Sequence, residues 1–165
     1  MIRYINAALL DDVCAEAKAS PRRRKNRNFH TRDDQPGQRL LNAIEPGSYV
    51  MPHRHLDPDK GETMVVLRGA LALVVFDDAG AIIDTAILNA NSATLGVDLP
   101  CGTWHTVFAL APDTVFLEAK AGPYCPLAAN EKAPWAPAEG DAGAAAYLAK
   151  LMQALHQPVI RAVSA

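Results

Sequence analysis

Apolar residues first recur at helical spacing. Leu9, Leu10, Val13, Cys14 and Ala17 share one face, Asn6 stands where an N-cap belongs and Pro21 closes the run, which predicts a helix over about 6–19. Cys14 lies on the apolar stripe and reads as a small buried hydrophobe. From residue 38 to about 122 the spacing shortens to that of strands. Candidates are 40–44, 63–68, 70–76, 81–88, 93–97, 106–110 and 114–120, separated by Pro46-Gly47, Gly69, Asp77-Asp78-Ala79-Gly80 and similar turn signals. A Pro- and Ala-rich strap over 123–139 follows, where Trp135 between Pro134 and Pro137 is expected to pack on the body of the protein. Tyr147, Leu148, Leu151, Met152 and Leu155 then share a face, predicting a last helix over about 141–156 with Asp141 as N-cap and Pro158 as stop.

Many short strands between two helices predict a mostly β fold, a sandwich or barrel over about 28–122, within a single domain spanning 1–165. The 165 residues, half of them hydrophobic and 21% charged, suffice for one core and not two. No apolar run approaches the ~20 residues that a spanning helix needs, and the N-terminus lacks a secretory apolar region, so neither a membrane nor export is expected. Three cysteines without a CxxC pair (Cys14, Cys101, Cys125) argue against a disulfide framework and for the cytoplasm. A net charge of −2 implies no general affinity for nucleic acid.

One segment departs from that balance. Arg22-Arg23-Arg24-Lys25-Asn26-Arg27 carries five cations just before the barrel. It is either a solvated arm or a basic flap over a pocket for an anionic ligand. No helix-turn-helix, zinc-finger or interleaved aromatic pattern accompanies it, so a nucleic-acid partner is not expected.

The chemistry gathers at histidines. His53-Arg54-His55 places two imidazoles on one face of an extended strand. Glu62, Met64 and Val66 share a face, which sets a carboxylate at the end of an apolar stripe, costly unless paired or metal-bound. His105 follows the turn Pro100-Cys101-Gly102-Thr103-Trp104. Three imidazoles and a carboxylate suit one divalent ion, iron, manganese, nickel or zinc. Asn28 and His30 share a face beside the basic run, and Tyr49 has the parity of His53 and His55. These three are candidate substrate-binding residues. Arg54, between two inward ligands, should point outward, Cys101 reads as a turn residue, and His156 should lie at the surface near the end of the last helix. The sequence singles out no catalytic residue. G-x-S-x-G, glycine-rich nucleotide loops and H-E-x-x-H do not occur.

These residues resemble the cupin motifs. Gly47-x5-His53-x-His55 and Glu62-x6-Gly69 follow the first motif, with six residues rather than three or four between His55 and Glu62. The surplus reads as an exposed loop carrying Asp57 and Asp59. Pro100-x-Gly102-x2-His105 follows the second motif, with Thr94 in place of its leading glycine and Ala109 in place of its closing asparagine. The resemblance implies a single cupin domain, a double-stranded β-helix or jelly-roll barrel with an N-terminal and a C-terminal helix, and a metal held by His53, His55, Glu62 and His105. Nearly the whole chain is similar to the WbuC family of cupin-fold metalloproteins, through Ser20–Asn26 with His30, Leu40–Tyr49, Pro52–His55, Gly122-Pro123-Tyr124 and Trp135-Ala136-Pro137. That likeness implies a link to bacterial surface-polysaccharide metabolism and leaves the reaction open. A homodimer is expected by resemblance alone.

Two functions fit these features equally. One is a mononuclear-metal enzyme of isomerase or oxygenase type acting on a small polar or anionic substrate such as a sugar derivative. The other is a non-catalytic, metal-dependent protein that binds or senses such a ligand.

Overall fold

The computed structural model describes residues 2–155. Helix α1 (Ala7–Ala19) begins at Asn6, whose side chain accepts the Leu9 amide at 3.0 Å. Eight strands follow: β1 (Arg24–Asn28), β2 (Gly37–Ile44), β3 (Glu62–Arg68), β4 (Ala70–Phe76), β5 (Ile82–Asn89), β6 (Gly96–Leu99), β7 (Trp104–Ala109) and β8 (Thr114–Ala121). A 3-10 turn at Ala129–Glu131 interrupts the strap, and α2 (Ala144–Ala154) ends the described chain. His156 and Pro158 lie outside the described residues.

All pairings are antiparallel, in a five-stranded sheet of order β1-β2-β8-β3-β6 and a three-stranded sheet of order β5-β4-β7. Side-chain alternation divides the molecule into layers. Leu41, Ala43 and Val115 face outward from the larger sheet onto Leu10, Val13, Cys14 and Ala17 of α1. Ile44, Met64, Val66 and Phe116 face inward and meet Leu71, Leu73, Leu88 and Val107 of the smaller sheet. The outer face of that sheet, with Ala72, Val74, Phe76, Trp104 and Phe108, is covered by Leu148 and Leu151 of α2 and by the strap. Each fully buried large aliphatic side chain contributes roughly 1.5–3 kcal/mol. The expected mostly β barrel with a helix at each end is therefore present. Trp135 packs on the body as expected, its ring centroid 4.9 Å from that of Trp104.

Several expectations need correction. The basic run is not a connecting arm: residues 24–28 form the edge strand β1, paired with β2 from Arg24↔Ile44 to Asn28↔Leu40. Charge hides such a strand from hydrophobic patterning, yet charged residues are what an exposed edge tolerates best. The strand expected at 93–97 is displaced to Gly96–Leu99, because Ser92 and Thr94 close a turn on Asn89. The N-cap of α2 is Gly143, not Asp141, whose carboxylate instead accepts the Ala138 amide at 2.9 Å. Met152, placed on the apolar face, is exposed.

Candidate functional site

The inner ends of β3, β7 and β8 and the irregular segment before β3 converge on a cavity of about 470 Å³. Glu62 is the first residue of β3, and its inward parity with Met64 and Val66 turns the carboxylate into the barrel. His105 has the inward parity of Val107 and Ala109 on β7. His53 belongs to no regular strand. An isolated bridge holds it beside β7, with its amide donating to His105 O at 3.0 Å and the His105 amide donating back at 2.9 Å.

His53 Nδ1–H donates to Met51 O at 3.0 Å, and His105 Nδ1–H donates to Thr103 O at 2.9 Å. A carbonyl can only accept, so these bonds fix the tautomer and leave each Nε2 lone pair for the site. Metal-binding histidines are oriented in this way. His105 Nε2 then lies 3.2 Å from Glu62 Oε2, and His55 Nε2 lies 2.9 Å from Glu62 Oε1. His55 Nε2, His105 Nε2 and Glu62 Oε2 are buried without a properly directed hydrogen bond, despite the short separations. Acceptors so close need a cation or a proton between them. The ligand atoms of His53, His55 and Glu62 all lie within 4.8 Å of one another, and the His105 ring adjoins His53 with centroids 4.7 Å apart. The donor set fits a divalent ion.

Burial and the neighbouring His105 push the His53 pKa down to about 3, so the ring is neutral at physiological pH. Burial alone would raise the Glu62 carboxyl. The contacts with His105 and His55 and the Lys120 ammonium outweigh it and hold the group ionised, below the usual carboxylate range. Of these contacts the Lys120 ion pair, at 2.8 Å, is a well-directed hydrogen bond. Burial also opposes the charge on Lys120. Glu118 and Glu62 more than offset this and hold its pKa above that of an ordinary lysine.

Sequence reasoning missed Lys120 and Glu118. Both have the inward parity of Phe116 on β8, where alternation with Val115, Leu117 and Ala119 was the available signal. Arg22, Arg24, Lys25 and Asn26 also line the cavity, which puts the basic segment beside the histidine cluster. Arg22 and Arg24 both pair with Glu139 of the strap, and Arg24 also donates to Tyr49 O at 2.9 Å.

The three candidate substrate-binding residues lie elsewhere. Asn28 is exposed near the end of β1 and does not line the cavity; its amide oxygen accepts from Asn26. His30 is buried against β2, its Nδ1 within 3.1 Å of Arg39 O and 3.2 Å of Arg39 N. Tyr49 turns away from the histidines, because the segment before His53 is irregular and strand parity does not apply. Its hydroxyl donates to Pro137 O at 2.8 Å, and its ring meets Tyr147. Arg54 points away from the cluster as expected, its guanidinium 4.2 Å above the Trp104 ring and paired with Asp78. Cys101 is exposed in its turn, and Asp57 and Asp59 are exposed in the loop before Glu62.

A single two-sheet barrel with flanking helices and an inward histidine–carboxylate cluster defines the class as a cupin-fold protein with a site that could hold a metal. The profile of a family described as a domain of unknown function, DUF6016, matches residues 5–88, and the chain belongs to that family. No curated protein matches the sequence. Similar solved structures include KdgF from Halomonas sp., at 17% identity and a TM-score of 0.48 over 62% of this chain and 82% of that one. A cupin-2 domain protein from Shewanella frigidimarina matches at 19% identity and a TM-score of 0.45, over 59% of this chain and 80% of that one. An oxalate oxidase in complex with glycolate matches at 15% identity and a TM-score of 0.48, over 63% of this chain; the present chain spans about half of it (53%). Among the described residues no helix is long and apolar enough to cross a membrane.

Proposed function

We propose that this protein is a mononuclear-metal enzyme of the isomerase or oxygenase type, with His53, His55, Glu62 and His105 as ligands and a small polar or anionic substrate such as a sugar derivative. The observation that carries the reading is the trio of buried, unpartnered polar atoms: His55 Nε2, His105 Nε2 and Glu62 Oε2. Leaving such groups unsatisfied costs about 1–3 kcal/mol each, so a fold that keeps three together is built for an occupant. A bound divalent ion would supply Lewis acidity at a substrate oxygen. The chain's own part is to aim imidazole nitrogens at the site, to keep Glu62 ionised through Lys120, and to shelter the reacting atoms within the barrel. The likeness to the WbuC family supports a role in bacterial surface-polysaccharide metabolism.

Elemental analysis of protein purified without added metal tests the ligand set, with about one ion per chain expected and a sharp loss in His53→Ala. Turnover of a metabolite mixture by protein loaded with Fe(II), Mn(II), Ni(II) or Zn(II) tests the catalytic half. Metal retention equal in wild type and His53→Ala refutes the ligand set. Full metal content without turnover leaves the ligand set standing and refutes the enzyme.

A further inference from the structure

The cavity holds more polar groups than a metal site requires, and they are arranged in a line. Glu62 on β3 stands directly opposite Lys120 on β8, and Lys120 Nζ contacts both Glu62 Oε1 and Glu118 Oε1 at 2.8 Å. Glu118 Oε2 then accepts from Asn42 Nδ2 on β2 at 2.6 Å, and Asn42 stands directly opposite Asn26 on β1. This polar track crosses four adjacent strands, three inter-strand steps of ~4.8 Å or about 14 Å in all. It begins at the histidine cluster and ends at the basic edge strand.

The charges are not uniform along it. A pocket shaped for a simple oxyanion gains nothing from a carboxylate in its wall, yet Glu118 is buried there. With Asn42 and Asn26 it offers acceptors and amide donors, the mixture that hydroxyl groups use. At the far end two guanidinium groups, Arg22 and Arg24, share the single carboxylate of Glu139, which leaves a net positive charge.

We infer that the cavity takes an extended polyhydroxylated oxyanion. Hydroxyl oxygens lie at the histidine end and along Glu118, Asn42 and Asn26, and a carboxylate or phosphate lies at the edge held by Arg22 and Arg24. The inference rests on the proposed function only for the histidine end, since the track is built from the chain's own side chains.

The test is calorimetric titration of the full chain with gluconate, glucose 6-phosphate, glucose and oxalate, both after Mn(II) loading and after chelation, with metal content measured in parallel. Gluconate or glucose 6-phosphate should bind the loaded protein at least about tenfold tighter than glucose or oxalate. The two tell a carboxylate from a phosphate at the edge. Glu118→Gln and Arg22→Glu should each weaken that binding by about tenfold with metal content unchanged. Arg22 is exposed, so its replacement does not threaten the fold. Glucose binding as tightly as the anions, oxalate binding best, or no binding by any of the four overturns the inference. Absence of bound metal alone overturns the metal reading, and the chelated arm then decides whether the track binds its ligand.

Discussion

Lys120 Nζ lies 2.8 Å from Glu62 Oε1, a direct ion pair between neighbouring strands inside the barrel. It compensates a buried carboxylate whose other oxygen has no hydrogen-bond partner. Removing one partner of a buried pair costs about 3–5 kcal/mol, because the other charge is stranded. Lys120→Met should therefore destabilise the metal-free protein by about that amount in urea unfolding. Saturating divalent metal should recover a large part of the loss, since an ion at Glu62 replaces the missing cation. An equal loss with and without metal would show that the ion does not reach Glu62.

Acidification should destabilise the metal-free protein through the same cluster. His53 has its pKa pushed down to about 3 by burial, against ~6.5 in an unfolded chain. Between those values the unfolded state binds the proton and the folded state does not, so stability falls as pH drops from about 6.5 to about 3. The slope for this one group is up to ~1.4 kcal/mol per pH unit. Glu62, held below the usual carboxylate range, adds a loss of the same sign below the ordinary glutamate value of about 4.3. Urea unfolding across pH 4–7 should show this dependence, and His53→Asn should flatten its upper part. A profile unchanged by that substitution removes His53 as its cause.

Gly69 closes the first motif for a steric reason. Its φ is +75°, and a Cβ there would stand 2.9 Å from Thr114 Cα, a backbone atom that cannot swing aside. The glycine allows β3 to turn directly into β4 and so to pass from one sheet to the other. Gly69→Ala should cost ~2 kcal/mol or more, read as a lower urea midpoint with unchanged slope. Stability within a few tenths of a kcal/mol of wild type would mean that the turn relaxes.

What the sequence reveals and what it hides divide along physical lines. Glu62 was legible because the alternation along β3 declares which face is inside, whereas β7 is buried on both faces and His105 was legible only through Pro100-x-Gly102-x2-His105. Lys120 and Glu118 obey the same alternation, but a charged pair at the end of a strand looks like a solvent face until the partner carboxylate is placed across from it. Asn28, His30 and Tyr49 were assigned from strand parity in segments that carry irregular backbone or lie away from the cavity. Strand β1 was illegible because its residues are charged or polar, and only its pairing with β2 makes it a strand.

The surplus loop between His55 and Glu62 leads to the last prediction. It offers two carboxylates, Asp57 and Asp59, and Asp59, with three residues between it and His55, fits the usual motif spacing where Glu62 does not. Both are exposed, and Asp57 Oδ1 is occupied in capping the Asp59 amide at 3.1 Å. Glu62 is buried among the imidazoles. Glu62→Gln should therefore lower bound metal by roughly 10-fold or more at limiting ion concentration, since a neutral amide replaces an anionic ligand. Asp57→Asn and Asp59→Asn should leave the stoichiometry at one per chain. Elemental analysis after gel filtration, with circular dichroism to show that each variant is folded, checks all three. Metal lost in either aspartate variant and retained in Glu62→Gln would move the carboxylate ligand into the loop.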